Sequence, residues 1–334
     1  MQIEHRPDPT PQPDEVVIQV ARCGICGTDL AMTEGSGPLF DLDSIPGHEF
    51  AGEIVAIGCA VSRLKVGDRV TAMPFVGCGA CATCLAGRPN FCPQFRGMAG
   101  GFAEYVAANE RVTVKLPSCL STEDGALIEP LAVSLHGIAL AQMPPGARVL
   151  IIGAGPIGLG ALYWARRQGA GRVAVAATSH RREAIARQLG ADDFLVPAAP
   201  AELPAMAEKA LAGKPDLVIE AGGKPGLIAQ AIDCVRAAGS VVVLGFCSAI
   251  DSFVPAVAVW KEVRVLFSMT YGITDFESVA RTLDRDAEEA RSMVTDTVTL
   301  SALPETLDSM RRGSHQCKVL VNPQRVLFTD GRIP

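Results

Sequence analysis

The sequence lacks the features that mark membrane proteins and nucleic-acid-binding proteins. No apolar stretch among its 334 residues reaches the roughly 18 that span a bilayer, and the N-terminal segment 1–7 has no apolar core of a secretory signal. Lys and Arg nowhere form a run long enough to follow a phosphate backbone, and the formal net charge is −6. We therefore expect a cytoplasmic protein that binds neither membranes nor nucleic acid.

Cysteine is plentiful, with eleven residues, yet no disulfide framework is expected because the cytosol keeps thiols reduced. A hydrophobic content of 49% with 20% charged residues is typical of a folded globular protein, and the length allows two domains with a core each. Five cysteines are scattered and are expected to be small buried core residues: Cys59, Cys119, Cys234, Cys247 and Cys317.

The chain changes character near Pro130. Before it, short β-branched runs alternate with Gly and Pro turns and predict a strand-rich domain, with strands at 16–20, 53–57, 69–72, 103–107 and 112–115. After it, apolar strands at 149–152, 172–177, 194–196, 216–220 and 240–244 alternate with helices at 159–168, 181–189, 201–211 and 227–235. The alternation predicts an α/β fold whose parallel sheet carries helices on both faces. A last strand is expected at 317–321.

A glycine-rich loop has four cysteines in the pattern C-x2-C-x2-C-x7-C: Cys78, Cys81, Cys84 and Cys92. Cysteines separated by two residues let one turn present two sulfurs to one ion, and zinc takes four thiolates tetrahedrally. The sharp turns of such a loop would come from Gly77, Gly79, Gly87 and Pro89. Because four thiolates leave no open position, the predicted zinc is structural. An iron–sulfur cluster is the chemical alternative.

Two other segments combine the ligand types of a catalytic zinc site. One is Cys23-Gly-Ile-Cys26-Gly-Thr28-Asp29, and the other is Gly47-His48-Glu49. A thiolate, an imidazole and a carboxylate can hold one ion and leave a fourth position for water or substrate. Either segment alone is also what an ordinary loop would contain.

Taken in order along the chain, these segments resemble the zinc-containing medium-chain dehydrogenase/reductase family. The resemblance covers almost the whole sequence and includes the segment 100–105, Glu129-Pro130, the glycine turn 153–158 and the terminal Lys318-Val-Leu. The chain is most similar to the sorbitol, threonine and butanediol dehydrogenase branch. That branch has Glu129-Pro130 where the vertebrate liver alcohol dehydrogenases carry a cysteine ligand.

The resemblance implies a catalytic zinc bound by Cys26 and His48. The third protein ligand would be a carboxylate, either Glu49 or Glu129, with exchange between the two during turnover as a further alternative. Asp29 would accept a hydrogen bond from the His48 ring and orient it, a role that metal-bound imidazoles generally need filled.

Thr28 occupies the position of the family hydroxyl that receives the substrate proton. Zinc would lower the pKa of an alcohol, and the hydride would pass to the nicotinamide of the cofactor. Many members have a histidine five residues after the first cysteine ligand, where this chain has Ala31. The proton route beyond Thr28 therefore stays open, with a ribose hydroxyl and water as the fallback.

A G-x-G-x-x-G turn follows the predicted strand 149–152 and opens a helix, the context in which this motif indicates a dinucleotide site. Its glycines would allow the tight turn, the approach of the pyrophosphate and close helix–strand packing, and the helix N-terminus would favour the phosphates. The predicted contacts here are Gly153, Gly155, Pro156, Ile157 and Gly158. Later contacts are expected at Gly222, Gly245 and Lys318, the last reaching the pyrophosphate unless it is a surface lysine.

The end of the second strand of this region bears on which cofactor binds. An NAD enzyme usually has Asp or Glu there to bond the ribose 2′-hydroxyl, whereas this chain has Ala177. Without that carboxylate a 2′-phosphate is not repelled, and Thr178, Ser179 and Arg181 could bind one. NADP(H) is therefore expected over NAD(H). The alternative is that the basic residues only begin a solvated helix.

The resemblance implies a GroES-like catalytic domain of residues 1–132 and 268–334, with a Rossmann domain of residues 133–267 inserted between them and the active site in the cleft. It also implies a homodimer or homotetramer. The expected reaction joins a less polar alcohol, secondary rather than primary, and its ketone or aldehyde. The polyol enzymes that the chain resembles carry an arginine at the position near Ser268 where this chain has none, and Leu30 and Phe40 are close to the expected pocket. The alternatives are an NAD-dependent polyol dehydrogenase, a catalytically silent dinucleotide sensor and a zinc-free enone reductase.

Overall fold

The computed structural model of the chain describes residues 1–35 and 44–324. The described residues form two compact units. Unit 1 contains residues 1–76, 96–127 and those from 296 onward, and unit 2 contains 77–95 and 128–295. The predicted domain boundaries lie at other positions, mainly because unit 2 includes the four-cysteine loop and residues 268–295, and those boundaries stay a prediction.

The strands, in chain order, are β1 (Glu15–Gly24), β2 (Glu49–Ile57), β3 (Arg69–Ala72), β4 (Phe75–Val76), β5 (Arg96–Gly97), β6 (Tyr105–Asn109), β7 (Thr113–Lys115), β8 (Arg148–Ile152), β9 (Arg172–Ala176), β10 (Asp193–Leu195), β11 (Leu217–Glu220), β12 (Ser240–Val243), β13 (Arg264–Phe267), β14 (Val294–Thr299) and β15 (Lys318–Asn322). The α-helices are α1 (Gly27–Thr33), α2 (Ala82–Leu85), α3 (Thr122–Gly125), α4 (Ile128–Ala141), α5 (Pro156–Arg167), α6 (Glu183–Gln188), α7 (Leu203–Ala210), α8 (Leu227–Cys234), α9 (Pro255–Lys261), α10 (Ile273–Arg285), α11 (Glu288–Arg291) and α12 (Leu303–Arg311).

The first sheet has the strand order β14-β15-β1-β2-β3-β7, and β6 also pairs with β1. Successive side chains of strand β1 point to opposite faces, so Val16, Ile18 and Val20 share one face, and all three are fully buried in the core of unit 1. The antiparallel pairing of β1 and β2 sets Gly24 opposite Glu49, and β15 pairs with the other side of β1. This register brings the ends of three strands together where the metal-ligand segments begin.

The second sheet belongs to unit 2 and is parallel, with the order β10-β9-β8-β11-β12-β13. Counted from β8 this is 3-2-1-4-5-6, the order of a doubly wound dinucleotide-binding fold. The predicted parallel α/β architecture is therefore confirmed. The prediction did not include β13 and α9, because β13 is an edge strand with no fully buried residue and gives no continuous apolar run.

The scattered cysteines divide between core and surface. Cys234 and Cys317 are buried as expected, but Cys59 and Cys119 are exposed and Cys247 is half-buried, so the expectation was wrong for these three. Cys59 and Cys119 each lie in a turn outside the sheets, where neighbouring strands do not cover them. Among the described helices, none has the length and apolarity needed to cross a membrane.

Candidate metal centres and cofactor site

The predicted catalytic ligands of unit 1 lie together. Cys26 follows the end of β1 and precedes α1, and His48 precedes Glu49 at the start of β2. Because β1 and β2 pair at these ends, one ligand atom each from Cys26, His48 and Glu49 lies within 4.8 Å of the others. A thiol, an imidazole and a carboxylate at this spacing have the donor types and the proximity that a three-ligand zinc site requires.

Asp29 forms hydrogen bonds to both segments that carry the metal ligands. Its side chain is fully buried, and its carboxylate accepts hydrogen bonds from the Cys26 amide at 2.8 Å and the Gly47 amide at 3.3 Å. One carboxylate oxygen lies 3.5 Å from Nδ1 of His48. Asp29 thus fixes the backbone next to both ligands and faces the ring nitrogen that it was predicted to orient.

The electrostatic setting of His48 favours a cation. Burial is the largest influence and lowers the pKa of His48, but the charges and hydrogen bonds of Asp29 and Cys26 outweigh it and raise that pKa well above its usual value. The same negative charges would favour a metal ion in place of the proton. Thr28 lies beside this cluster, with its hydroxyl 3.7 Å from the Cys26 sulfur.

Lys318 is buried in unit 1 against Glu49. Its ammonium is 2% exposed and donates hydrogen bonds to Oε1 of Glu49 at 2.7 Å and to the carbonyl of Ile25 at 2.9 Å. The reason is the pairing of β15 with β1, which turns this side chain into unit 1 and onto Glu49. The alternative that Lys318 is a surface lysine is therefore wrong, and its contact with a candidate zinc ligand was not predicted. The predicted role at the cofactor pyrophosphate stays a prediction.

Glu129, the other candidate for third ligand, belongs to unit 2. It lies in the first turn of α4, is 7% exposed and accepts a hydrogen bond from the Tyr271 hydroxyl at 3.0 Å. Tyr271 is itself fully buried and stacks on Phe276, with 5.5 Å between the ring centroids. The sequence did not predict this contact, because it joins positions 142 residues apart.

The four cysteines of the glycine-rich loop also meet. The ligand atoms of Cys78, Cys81, Cys84 and Cys92 lie within 4.8 Å of one another. Backbone amides point at the sulfurs: those of Cys81 and Gln94 lie 3.3 Å from the sulfurs of Cys78 and Cys92, respectively. Amide donors from Ala80 and Cys81 lower the pKa of the Cys78 thiol. These donors stabilise thiolate, the form that binds zinc.

The glycine turn has the form expected of a phosphate-binding loop. Gly153 follows β8 with φ of +110°, and Gly155 precedes α5, whose first residue is Pro156. A Cβ atom on Gly158 would lie 1.9 Å from the Gly153 carbonyl oxygen, so only glycine allows the helix to pack this closely on the turn. A Cβ atom on Gly155 would meet nothing nearer than Arg182 at 3.9 Å, so the backbone there is open to a ligand. Ile157 is the second residue of this helix and is half-buried.

Arg182 is the residue of this region that sequence reasoning missed. Its guanidinium reaches back from beyond β9 and donates to the Ala154 carbonyl at 3.2 Å, at the centre of the glycine turn. Ala177, Thr178 and Ser179 follow β9 directly, and Thr178 and Arg181 are exposed. Position 182 could not be distinguished from position 181 in the sequence, since both arginines follow the same strand.

The ends of β11 and β12 are joined by a buried carboxylate. Oε1 of Glu220 accepts hydrogen bonds from the amides of Gly222 at 2.7 Å and Gly223 at 2.8 Å. A Cβ atom on Gly245 would lie 2.6 Å from the other carboxylate oxygen, so the second turn also closes on Glu220. Burial raises the pKa of Glu220, and the amide donors oppose this shift. Gly222 and Gly245 thus lie together at the carboxyl edge of the sheet, where dinucleotides bind in such folds.

Comparisons with known proteins bear on the whole chain. Residues 12–118 match the family described as alcohol dehydrogenase GroES-like domain, and residues 156–285 match zinc-binding dehydrogenase. A sorbitol dehydrogenase from Bacillus subtilis is 34% identical over 343 residues, covering 97% of this chain and 95% of the relative. The chain belongs to the zinc-binding alcohol dehydrogenase family.

Two solved structures show how closely the fold follows this family. A putative zinc-binding dehydrogenase from Sinorhizobium meliloti bound to NADP has a TM-score of 0.87 at 33% identity, covering 94% of each chain. A short chain alcohol dehydrogenase from Escherichia coli complexed with NADH has a TM-score of 0.87 at 28% identity, covering 95% of this chain and 94% of the other. The predicted GroES-like domain with a Rossmann-like sheet is confirmed, and this zinc-binding dehydrogenase is an alcohol or polyol dehydrogenase-type oxidoreductase.

As a zinc-binding dehydrogenase, the chain has donor sets that fit the metal. One set is four thiols and the other is a thiol, an imidazole and a carboxylate, which are ligands of structural and catalytic zinc, respectively. Membership of the family favours the dehydrogenase over the silent sensor and over the zinc-free reductase. Phe40, which was expected near the substrate pocket, lies outside the described residues.

Proposed function

We propose that the chain interconverts a secondary alcohol and its ketone with NADP(H) as the hydride carrier, and that it holds one catalytic and one structural zinc. The observation that carries the proposal is the Cys26–His48–Glu49 cluster, with its three ligand atoms within 4.8 Å of one another. The buried carboxylate of Asp29 next to His48 supports a metal-binding role for this cluster rather than a purely structural one. The absence of an acidic residue at Ala177 supports the phosphorylated cofactor.

The positions of the side chains suggest a separate role for each residue in the reaction. Zinc, when bound, supplies Lewis-acid chemistry that lowers the pKa of an alcohol toward neutrality. Cys26 and His48 would hold the metal, and Asp29 would keep the His48 ring in the orientation that metal binding needs. Thr28, with its hydroxyl 3.7 Å from the Cys26 sulfur, would take the proton that leaves the alcohol.

We assign the third protein ligand to Glu49. Its carboxylate shares the cluster with Cys26 and His48, and it lies on the strand that follows His48 directly. Glu129 remains the alternative ligand, with a carboxylate that accepts a hydrogen bond from Tyr271. Zinc content of Glu49→Gln and Glu129→Gln proteins distinguishes them, because loss of a ligand weakens binding of one ion only.

The cofactor assignment rests on the charged side chains that follow strand β9, where the adenosine ribose of the cofactor is expected. After Ala176 at the end of β9, no carboxylate occurs before Glu183, and its oxygens are bonded to His180 at 2.7 Å and Arg187 at 3.3 Å. Thr178 and Ser179 offer hydroxyls and Arg181 an exposed guanidinium. These are the groups that bind a phosphate monoester. The alternative is NAD(H), which an enzyme of similar fold binds.

The test compares kcat/KM with NADP⁺ and NAD⁺ in the wild-type chain and in Ala177→Asp. We expect wild type to prefer NADP⁺ and the variant to lose this preference by about tenfold or more, because a carboxylate repels the 2′-phosphate and binds a free 2′-hydroxyl. Ala237→Asp, at an exposed alanine of unit 2, is the control and should leave the ratio unchanged. A wild-type preference for NAD⁺ would refute the cofactor assignment.

The substrate is proposed as less polar than a sugar alcohol. No arginine occurs from Phe267 to Gly272, the segment in which the polyol dehydrogenases that this chain resembles carry one. The alternative is a polyol, since relatives of this chain include a sorbitol dehydrogenase. A panel of secondary alcohols and polyols, assayed with both cofactors, separates the two.

A homodimer or homotetramer is proposed from the exposed edge of unit 2. Strand β13 pairs only with β12 among the described residues, and the helix before it is not buried at any position. Trp260, Val259 and Phe267 are 88%, 73% and 68% exposed. An unpaired strand beside large apolar side chains is the surface that a second copy would cover, and the native mass from light scattering tests this.

A further inference from the structure

Lys318 has an unusual place in unit 1. Among the described residues it is the one lysine or arginine that is buried, at 2% exposure. Its partner Glu49 is 1% exposed, and the ammonium also donates to the carbonyl of Ile25 at 2.9 Å. A buried lysine without a partner is very unfavourable, so the contact with Glu49 is what allows Lys318 to lie there.

The strand order explains how the contact forms. Strands β15, β1 and β2 are neighbours, so the Lys318 side chain crosses β1 to reach Glu49 on β2. Gly24 of β1 lies opposite Glu49, and a Cβ atom there would lie 2.1 Å from Oε2 of Glu49. Glycine at this position therefore leaves the space that the carboxylate occupies.

The carboxylate of Glu49 faces two cation sites. Lys318 contacts both of its oxygens, with 2.7 Å to Oε1. One oxygen of the same carboxylate also belongs to the cluster with Cys26 and His48. A zinc ion in that cluster and the Lys318 ammonium would thus repel each other across one shared anion.

We propose that Lys318 is a positioning residue that competes with zinc for Glu49 and so sets how fast the catalytic site releases its metal. The proposal rests on the catalytic zinc of the proposed function. With Lys318 present, Glu49 is neutralised before the metal arrives. Without it, no lysine or arginine of residues 1–35 and 44–324 forms an ion pair with this buried carboxylate, and the metal should be held more tightly.

The test is zinc release to a chromogenic chelator in excess, followed for the wild type and Lys318→Met. The four-cysteine site serves as an internal reference. Release from the catalytic site should be slower in Lys318→Met by about tenfold, and Lys318→Arg, which keeps the charge, should remain close to wild type. If Lys318 only supported the fold, its substitution would loosen the site and speed zinc release. Faster or unchanged release in Lys318→Met therefore overturns the proposal.

Two further variants keep the result interpretable. Lys115→Met removes another lysine of unit 1, one paired with Asp68 at 2.8 Å, and should not change release. Lys318→Gln can still donate to the Ile25 carbonyl and replaces Lys318→Met if that protein does not fold, with the same slower release expected. If the wild type and Cys26→Ala bind the same number of zinc ions, the proposed function fails. If the wild type binds the additional zinc but Lys318→Met and Lys318→Gln release it like wild type, this inference alone fails.

Discussion

At the scale of single residues, Asp29 has the clearest role that is not itself a ligand. It joins the backbone beside Cys26 to the backbone beside His48 and lies 3.5 Å from the His48 ring. Its negative charge and its hydrogen bonds therefore affect the metal site, although Asp29 is not one of the metal-ligand residues.

We predict that Asp29→Asn lowers kcat and zinc affinity by about 10- to 100-fold, the usual cost of removing a partner of a metal-bound histidine. The amide keeps the shape but loses the charge that favours a cation at His48. Metal analysis after dialysis and steady-state kinetics measure the effect. Asp68→Asn, at a carboxylate of the same unit paired with Lys115, is the control. Unchanged zinc affinity in Asp29→Asn would contradict the assigned role.

The residues of the site differ in how well the sequence predicts them. Cys26, His48 and the four cysteines occur at short spacings that reflect the chemistry of zinc, so local patterns suffice to find them. The contact of Lys318 with Glu49 was not predicted, because it depends on which strands pair and in which register. Such contacts join distant positions, and no local pattern in one sequence encodes them.

At the scale of elements, Asp216 ties strand β8 to the segment before β11 and to the turn that follows α8. Its carboxylate accepts from the Arg148 amide at 2.9 Å and from the Arg236 guanidinium at 2.6 Å. Burial raises the pKa of Asp216, but the hydrogen bonds and charges of the two arginines outweigh it and lower the pKa to about 2.

Because the pKa of Asp216 is lowered on folding, its ionised form stabilises the folded state above the ordinary aspartate pKa. That contribution is lost as the pH falls through the window from about 4 to about 2. We predict that Asp216→Asn reduces the free energy of unfolding by about 2 kcal/mol at pH 7 and that the difference disappears toward pH 2. Urea unfolding at several pH values measures it.

The matched control for Asp216 is Asp286→Asn, which removes an exposed carboxylate paired with Arg167 at 2.7 Å. Arg167 keeps a second partner in Glu289, so this change should cost less than about 1 kcal/mol. Equal effects of the two substitutions, or a pH-independent effect of Asp216→Asn, would show that the pKa of Asp216 does not contribute as described.

Elements were predicted where hydrophobic patterns are strong. The strands β8, β9, β11 and β12 are continuous buried apolar runs, and they were predicted within a residue or two of their ends. The strands β4, β5 and β14 were not predicted, because β4 and β5 are two residues long and β14 has no buried residue. Their formation depends on neighbouring chain segments rather than on their own sequence.

At the scale of the whole molecule, one chain combines two zinc-type donor sets with a parallel sheet of the dinucleotide-binding order. Short sequence patterns predict both donor sets, and the alternation of strands and helices in the sequence predicts the sheet. What the sequence could not predict is the pairing that gives Glu49 a buried lysine and Glu129 a buried tyrosine. These two contacts decide the surroundings of the candidate third ligands.

The most direct test of the account is zinc content measured together with turnover and cofactor binding in wild type and Cys26→Ala. We predict two zinc ions per wild-type chain and one in Cys26→Ala. The variant should lose turnover by at least about 1,000-fold, because the Lewis acid is absent, while it binds NADPH with unchanged affinity. A Cys26→Ala protein that keeps two zinc ions, or that turns over alcohol at a near-normal rate, would contradict the central claim.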